Sequence, residues 1–415
     1  MKKFNSVLRY TALFLALSLE LQATSSEPQA AASYKPQATN HKLQATSSAL
    51  QAVGSQLEAN SLQLEAKKQE FTKNFDKTFT VDKNEVVILA NKYGKIEVKT
   101  GGTNQVVVNV RVRVNANTQE DAQTLFNRIN IAFSNGPDYV KTETLIEFQN
   151  GRTWSWSGWG KSNSQDFTID YDVTMPVNSR LDLSNKYGNS HIAALNASVN
   201  VEQKYGDFKL DGATAAVIEL AYGGGQLGTI SALNATVSYG KLTSPNISAE
   251  KIKTKYSQLK LGTMQMADIQ SAYDDYKIDN VETLKIDGKY GDLNVGTVKD
   301  VTFVGSYTDI HIGKIDGNGD FQTNYGDVTV DAVKAGFGTI NIKANYTDFS
   351  IRIDPSVNYL LDAAGSYGDI KYPVSIKTSM DSKTNSRFEI IGTVGSPGSK
   401  SVIKARMNYG DFKIK

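Results

Sequence analysis

Tyrosine recurs in this chain at a spacing that few folds accommodate. It stands at Tyr187, Tyr205, Tyr222, Tyr239, Tyr256, Tyr273, Tyr290, Tyr307, Tyr325, Tyr346, Tyr367 and Tyr409, at intervals of 18, six of 17, then 18, 21, 21 and 42 residues. A period held that long marks stacked structural repeats. The last interval is twice 21 and predicts a coil that has lost its tyrosine. Each repeat reads apolar, x, apolar, x, small, x, Tyr, Gly, Asp, apolar, x, apolar, as from Leu284 to Val295. Two short strands therefore flank a turn. Seventeen residues at roughly 3.3 Å each give a perimeter of about 56 Å, and a dozen coils at about 4.8 Å make a rod on the order of 60 Å long.

A meander of hairpins is the competing architecture. Its two-residue turn would be type II′, with positive φ at the residue after tyrosine. Ser257, Asp274, Thr308 and Thr347 occupy that place in four repeats, and a β-branched residue suits positive φ poorly. The turn is thus expected to bend between sheets, and the fold class is all-β: a single-stranded parallel β-solenoid with 17–21 residues per coil. Stacking like on like would make the tyrosines a structural ladder. A strip for sugar rings is the alternative, because aromatic faces pack on pyranoses. Phase favours the ladder: along Leu181, Leu183, Asn185 and Tyr187 the tyrosine keeps the parity of the inward residues. Small residues two places earlier, such as Ser271, Gly288, Gly305, Ala344 and Gly365, would leave room for a ring at an interior corner.

The chain begins with a basic, then apolar stretch that reads as a secretory signal over residues 1–23. Its apolar core is too short for a bilayer span, and no later stretch is long enough, so no integral membrane segment is expected after cleavage. Without residues 1–23 the chain keeps 42 basic and 42 acidic residues, which gives no reason to expect nucleic acid as a partner. The absence of cysteine excludes disulfides and thiolate chemistry. Residues 24–70, rich in Ala, Gln and Ser, read as a low-complexity linker because they hold too few apolar groups to offset the entropy of ordering.

Residues 71–180 form an N-terminal β-rich cap with one helix. Strands are expected at Val86–Ala90, Ile96–Lys99, Val106–Val114, near Tyr139–Phe148 and near Phe167–Met175. Thr118 caps the helix, and Leu125, Phe126 and Ile129 form its apolar face. Tyr93, in Asn-Lys-Tyr-Gly, matches the repeat at Tyr187 and implies an early coil ahead of an inserted segment. Residues 181–415 are the solenoid proper.

The turn words Asn-Lys-Tyr-Gly, Lys-Tyr-Gly-Asp and Ser-Tyr-Gly-Asp, preceded by the run from Thr168 to Pro176, resemble a bacterial family known as putative adhesins with β-strand repeats. The resemblance covers residues 71–415. It implies a right-handed single-stranded β-helix exported by bacteria of Bacteroidetes type, and it implies adhesion only through the family's label. Its matched positions are the turns, so it transfers no functional residues.

Trp154, Trp156 and Trp159 are the only tryptophans and share one polar loop, where they are candidates for ligand contact or, alternatively, for covering the end of the core. Asp207, Asp292, Asp309, Asp327, Asp348, Asp369 and Asp411 follow tyrosine by two. They could form an acidic, calcium-holding edge, but turn formation through the residue's own backbone is the plainer use. Residues 316–320 with Asp327 copy part of a calcium loop, yet Phe321 stands where glycine is required. Gly160-Lys161-Ser162 lacks the first glycine of a phosphate loop, and Gly223, Gly225 and Gly228 match a dinucleotide motif by spelling alone. His41, His191 and His311 lie too far apart to act together.

No catalytic, cofactor or metal residues emerge, and the chain is not expected to be an enzyme. The expected function is an adhesin-like binding or scaffold surface of a Gram-negative envelope, periplasmic or at the cell surface. Its expected partner is a cell-surface glycan or an envelope protein. An accessory or sensing protein working with a membrane partner is the alternative. A polysaccharide-active enzyme would need acids clustered with Lys or Arg rather than evenly spaced.

Overall fold

The computed structural model describes residues 68–82, 85–148, 152–153, 167–396 and 398–415. The expected signal at 1–23 and most of the linker lie outside these residues, as does the tryptophan loop. Lys68–Lys415 form one compact unit.

The stack begins at the coil of Tyr93. β1 (Gln69–Thr80) starts two residues earlier than the linker boundary expected at residue 70, and is followed by β2 (Val86–Lys92), β3 (Ile96–Thr100) and β4 (Gln105–Ala116). Helix α1 (Gln119–Asn127) is capped by Thr118, whose hydroxyl accepts from the Asp121 amide at 3.1 Å. Ala122 and Phe126 are its buried residues, while Ile129 opens β5 (Ile129–Asn135) instead of extending the helical face. β6 (Tyr139–Phe148), β7 (Arg152–Thr153) and β8 (Phe167–Met175) complete this segment. β6 lies parallel to β2, and β8 parallel to β3, on the outer edge of the first coil. β4 then pairs antiparallel with β8 and β1 with β4, while β5 pairs antiparallel with β6. The parallel stack thereby gains an antiparallel cover whose outer strands are β1 and β5.

Behind it the coils stack in parallel register. β9 (Arg180–Lys186) and β10 (Ser190–Ile192) lie directly on β2 and β3. β11 (Ser198–Lys204), β12 (Phe208–Ala221), β13 (Gly224–Ser238), β14 (Lys241–Lys255) and the long β15 (Gln258–Ile315) continue the winding. Register steps of 17 residues, such as Ala216 on Val199 and Leu233 on Ala216, follow the tyrosine period. Next come β16 (Gly319–Asn324), β17 (Val328–Val330), β18 (Thr339–Asn345), β19 (Phe349–Ile351), β20 (Tyr359–Ser366) and β21 (Ile370–Lys371).

The end departs from the expected simple winding. β22 (Lys377–Lys383) and β23 (Arg387–Val394) form an antiparallel hairpin, and β23 pairs antiparallel with β20. β24 (Val402–Asn408) and β25 (Phe412–Ile414) then slot between the coils of Tyr346 and Tyr367. No coil has lost its tyrosine: the 42-residue interval holds the capping hairpin and the returning strand.

The core is one apolar cluster running through the stack. Around Tyr239 the inward positions are Ala235, Val237, Leu242, Ser244 and Ile247, all under 5% exposed. The tyrosine does not join them. Twelve of the thirteen file tyrosines are 41–62% exposed, and only Tyr93, at the capped end, is partly buried. The parity argument fails because it assumes extended backbone throughout. All thirteen have φ between 50° and 63°, the left-handed region, so strand alternation stops at tyrosine and restarts one residue out of phase. The residue after tyrosine turns inward instead: Ser257, Asp274, Thr308 and Thr347 are 2–6% exposed. Three of the small residues that were to receive a tyrosine ring, Gly288, Gly305 and Gly365, face phenylalanine. A Cβ at Gly305 would lie 2.7 Å from the Phe303 ring, and one at Gly365 would lie 2.4 Å from that of Phe388.

Candidate functional site

Positive φ is costly for a bulky side chain, about 1–2 kcal/mol per residue, and this chain repeats it thirteen times. What offsets the cost lies outside the core. Successive tyrosine rings stack nearly parallel, with centroids 4.6–5.1 Å apart and planes within 18°. An aromatic pair contributes about 0.5–1.5 kcal/mol, so a ring with two neighbours recovers roughly the strain of its backbone. Spatial order runs Tyr346, Tyr409, Tyr367 at the far end, as the inserted strand requires. At the near end Tyr93 meets Phe167 edge to face at 5.4 Å.

The turn beneath each ring is equally constrained. Glycine follows most of the tyrosines because the coils touch there backbone to backbone: a Cβ at Gly188 would lie 1.9 Å from the Gly94 carbonyl oxygen. Where another residue stands, its side chain takes over a hydrogen bond of the turn. Ser257, Thr308 and Thr347 donate to the carbonyls of Lys255, Ser306 and Asn345 at 2.9, 3.2 and 3.0 Å. Asp274 accepts at 2.7–2.8 Å from the Ser257 and Ala272 amides and from the Thr254 and Ser271 hydroxyls. The Tyr276 hydroxyl, bonded to Thr254, borders the same cluster, and burial pushes that phenol well above its ordinary pKa.

Two further files border the rings. On one side, Asp275, Asp292, Asp309, Asp327, Asp348, Asp411 and Asp369 occupy seven consecutive coils in spatial order. Their role differs from the local turn bond expected of aspartate. The carboxylates of Asp309, Asp348 and Asp411 accept from the amides of Asp327, Asp411 and Asp369 in the neighbouring coil, at 2.8–3.0 Å. Only Asp369 also accepts from the next residue, Ile370, at 2.8 Å, and that bond holds its carboxyl below the usual range. On the other side, Asn324, Asn345, Asn408 and Ser366 form a chain. Asn345 donates to Asn324 at 2.9 Å, Asn408 to Asn345 at 3.0 Å and Ser366 to Asn408 at 2.5 Å. Neither Asp275 nor this amide chain was picked out from the sequence. Extending the tyrosine offset to the residues just before and two after the ring would have found both.

The ring faces cover one another at stacking distance, which leaves no room for a pyranose between them. Edges and hydroxyls are what the file presents. Trp154, Trp156 and Trp159 lie outside the described residues, as do Gly160, Lys161, Ser162 and His41. Gly223, Gly225 and Gly228 lie in a repeat turn and its strand, with no helix following. Phe321, fully buried in β16, keeps residues 316–320 from wrapping a cation. Among the described residues no group of three or more His, Asp or Glu could hold a metal, and no helix is long and apolar enough to cross a membrane.

The two described histidines take part in surface ion pairs. His191 bridges coils, with Nδ1 2.8 Å from Glu97 and Nε2 3.1 Å from Asp211. Partial burial lowers its pKa, but the two carboxylates outweigh burial and leave it raised. His311 Nε2 meets Asp331 at 2.7 Å. An open cleft of about 550 Å³ lies beside the end of the file, among Ser366, Arg387, Phe388, Arg406 and Asn408. Arg406 is already held by Asp362 at 2.9 Å.

A family model described as Toastrack DUF4097 matches residues 228–415, a little under half of the chain. Among solved structures, a putative adhesin from Parabacteroides distasonis aligns over 83% of this chain and 97% of its own, with 10% identity and a TM-score of 0.25. A putative adhesin from Bacteroides fragilis gives 83%, 97%, 10% and 0.22. A putative lipid binding protein from Parabacteroides distasonis gives 84%, 97%, 9% and 0.25. No curated protein matches the sequence significantly.

Proposed function

We propose, with the match of residues 228–415 to the Toastrack DUF4097 family model as support, that the protein is a non-enzymatic, adhesin-like binding or scaffold surface of the bacterial envelope. The observation that carries this reading is the exposed tyrosine file. Twelve of the thirteen rings are kept exposed at positive φ, and strain maintained on a surface, next to exposed aromatic area, is characteristic of recognition sites. Residues 1–23 act as the export signal in this reading, 24–70 as a linker, and Trp154, Trp156 and Trp159 as a second contact near the N-terminal cap. A cell-surface glycan or an envelope protein is the partner, in the periplasm or at the surface.

Binding to bacterial cells and glycan arrays tests it. Three proteins are compared: wild type, the variant Tyr290→Ser/Tyr307→Ser/Tyr325→Ser, and the variant Trp154→Ala/Trp156→Ala/Trp159→Ala. Lower binding by the tyrosine variant supports the file, and lower binding by the tryptophan variant supports the loop. Equal binding by all three overturns the reading.

A further inference from the structure

The last five coils differ from the rest of the stack in what borders the rings. Beside Tyr307, Tyr325, Tyr346, Tyr409 and Tyr367, one flank is Ser306, Asn324, Asn345, Asn408 and Ser366, uncharged throughout. Four of these side chains are tied to one another by amide and hydroxyl hydrogen bonds. The opposite flank is Asp309, Asp327, Asp348, Asp411 and Asp369. Three backbone amides fix the spacing of these carboxylates. Lys413 lies 3.9 Å from Asp348 and 3.4 Å from Asp411, and Lys383 lies 3.4 Å from Asp369. Among the described residues Asp309 and Asp327 form no ion pair. Towards the other end of the file, charge interrupts the uncharged flank at Lys289, Lys255, Lys204, Lys186 and Lys92.

Resting on the binding-surface reading above, we propose that this five-ring track binds flat, rod-shaped, cationic aromatic molecules lying along the solenoid axis. Four features select that class. The ring faces are covered, so a ligand cannot stack between rings and must cross their edges. The edges recur every 4.6–4.8 Å in a straight file, so a rigid planar rod touches three or four equivalent edges at once and gives up little conformational freedom. The amide flank is uncharged, and its side chains from Asn324 to Ser366 hydrogen-bond one another. The aspartate flank supplies negative charge along the same line, and that charge selects a cation.

Thioflavin T, a planar rod with a fixed positive charge, is the probe, used with the full chain. Saturable binding with enhanced fluorescence is expected, because confinement stops rotation about its central bond, and it should weaken as salt screens the carboxylates. Asp309→Asn/Asp327→Asn retains at position 309 the oxygen that accepts the amide of residue 327 and should weaken binding about fivefold per charge removed. Tyr325→Ser/Tyr346→Ser should abolish it, while Met266→Ser, at an exposed apolar residue outside the file, should leave it unchanged, with far-UV circular dichroism checking the fold of each. No enhancement in wild type, equal binding by all variants, or insensitivity to salt overturns the proposal. Tyrosine-dependent cell binding without dye binding would overturn only this proposal, and dye binding without cell or glycan binding would overturn only the envelope reading.

Discussion

If left-handed backbone at tyrosine is offset by stacking, the usual ranking of substitutions should invert at that position. Tyr239 has φ 53° and its ring lies 5.0 Å from both Tyr222 and Tyr256. Tyr239→Leu forfeits two stacked contacts, about 1–3 kcal/mol together, and keeps the backbone strain. Tyr239→Gly forfeits the same contacts but relieves about 1–2 kcal/mol of strain, against about 0.5–1 kcal/mol of added freedom in the unfolded chain. Glycine should therefore be the more stable variant by roughly 0.5–1 kcal/mol. Thr236, exposed on the strand three residues earlier, has ordinary extended backbone, so there leucine should exceed glycine by a similar amount. Urea unfolding followed by circular dichroism gives the comparison, read as midpoints at matched slopes because a solenoid need not unfold in one step. Leucine equal to or better than glycine at position 239, with the normal order at 236, would refute the account of the file.

Gly188→Ala should destabilise by more than the about 1–3 kcal/mol of ordinary overpacking, because its Cβ would lie 1.9 Å from a backbone oxygen. Gly336→Ala, with φ +76° and open space around it, should cost only the backbone strain of about 1–2 kcal/mol, and thermal melts of the pair test the contrast. Asp274→Ala strands four donors and should cost about 3 kcal/mol or more, while Asp274→Asn, which still accepts, should cost less in chemical denaturation. The raised pKa of His191 means its ion pairs stabilise the fold fully below the unfolded value near 6.5 and are lost as pH rises through the higher folded value. His191→Gln should flatten the stability profile across that window, and an unchanged profile would contradict the assignment.

The period of 17 could be read from sequence because it rests on counting positions. The placement of the rings could not. Alternation of side chains is a property of extended backbone, and a single left-handed residue shifts its phase; the apolar pattern records the shift only as a change of parity, from Leu284 and Ile286 to Leu293 and Val295, without marking the residue at which it falls. The hairpin argument assigned positive φ to the residue after tyrosine, whereas the tyrosine itself carries it in every coil. The far end was hidden for another reason: the order of Tyr346, Tyr409 and Tyr367 is set by strand insertion, and spacing along a chain reports distance but not order in space. The bordering files were accessible in principle, since Asn324, Asn345 and Asn408 hold a constant offset from tyrosine.

That inserted strand bears on how the molecule assembles. Growth of a solenoid proceeds by each coil docking on the one before it, and this holds as far as the coil of Tyr346. The next coil in sequence cannot dock there, since residues 402–414 occupy the place. It must wait with the hairpin of residues 377–394, and the whole closing unit joins in a non-local step with a long loop to close. A chain cut between 394 and 402 would leave two strand edges unpaired, at residues 339–345 and 359–366. The same insertion that locks the folded stack makes its far end the last part to become safe from aggregation.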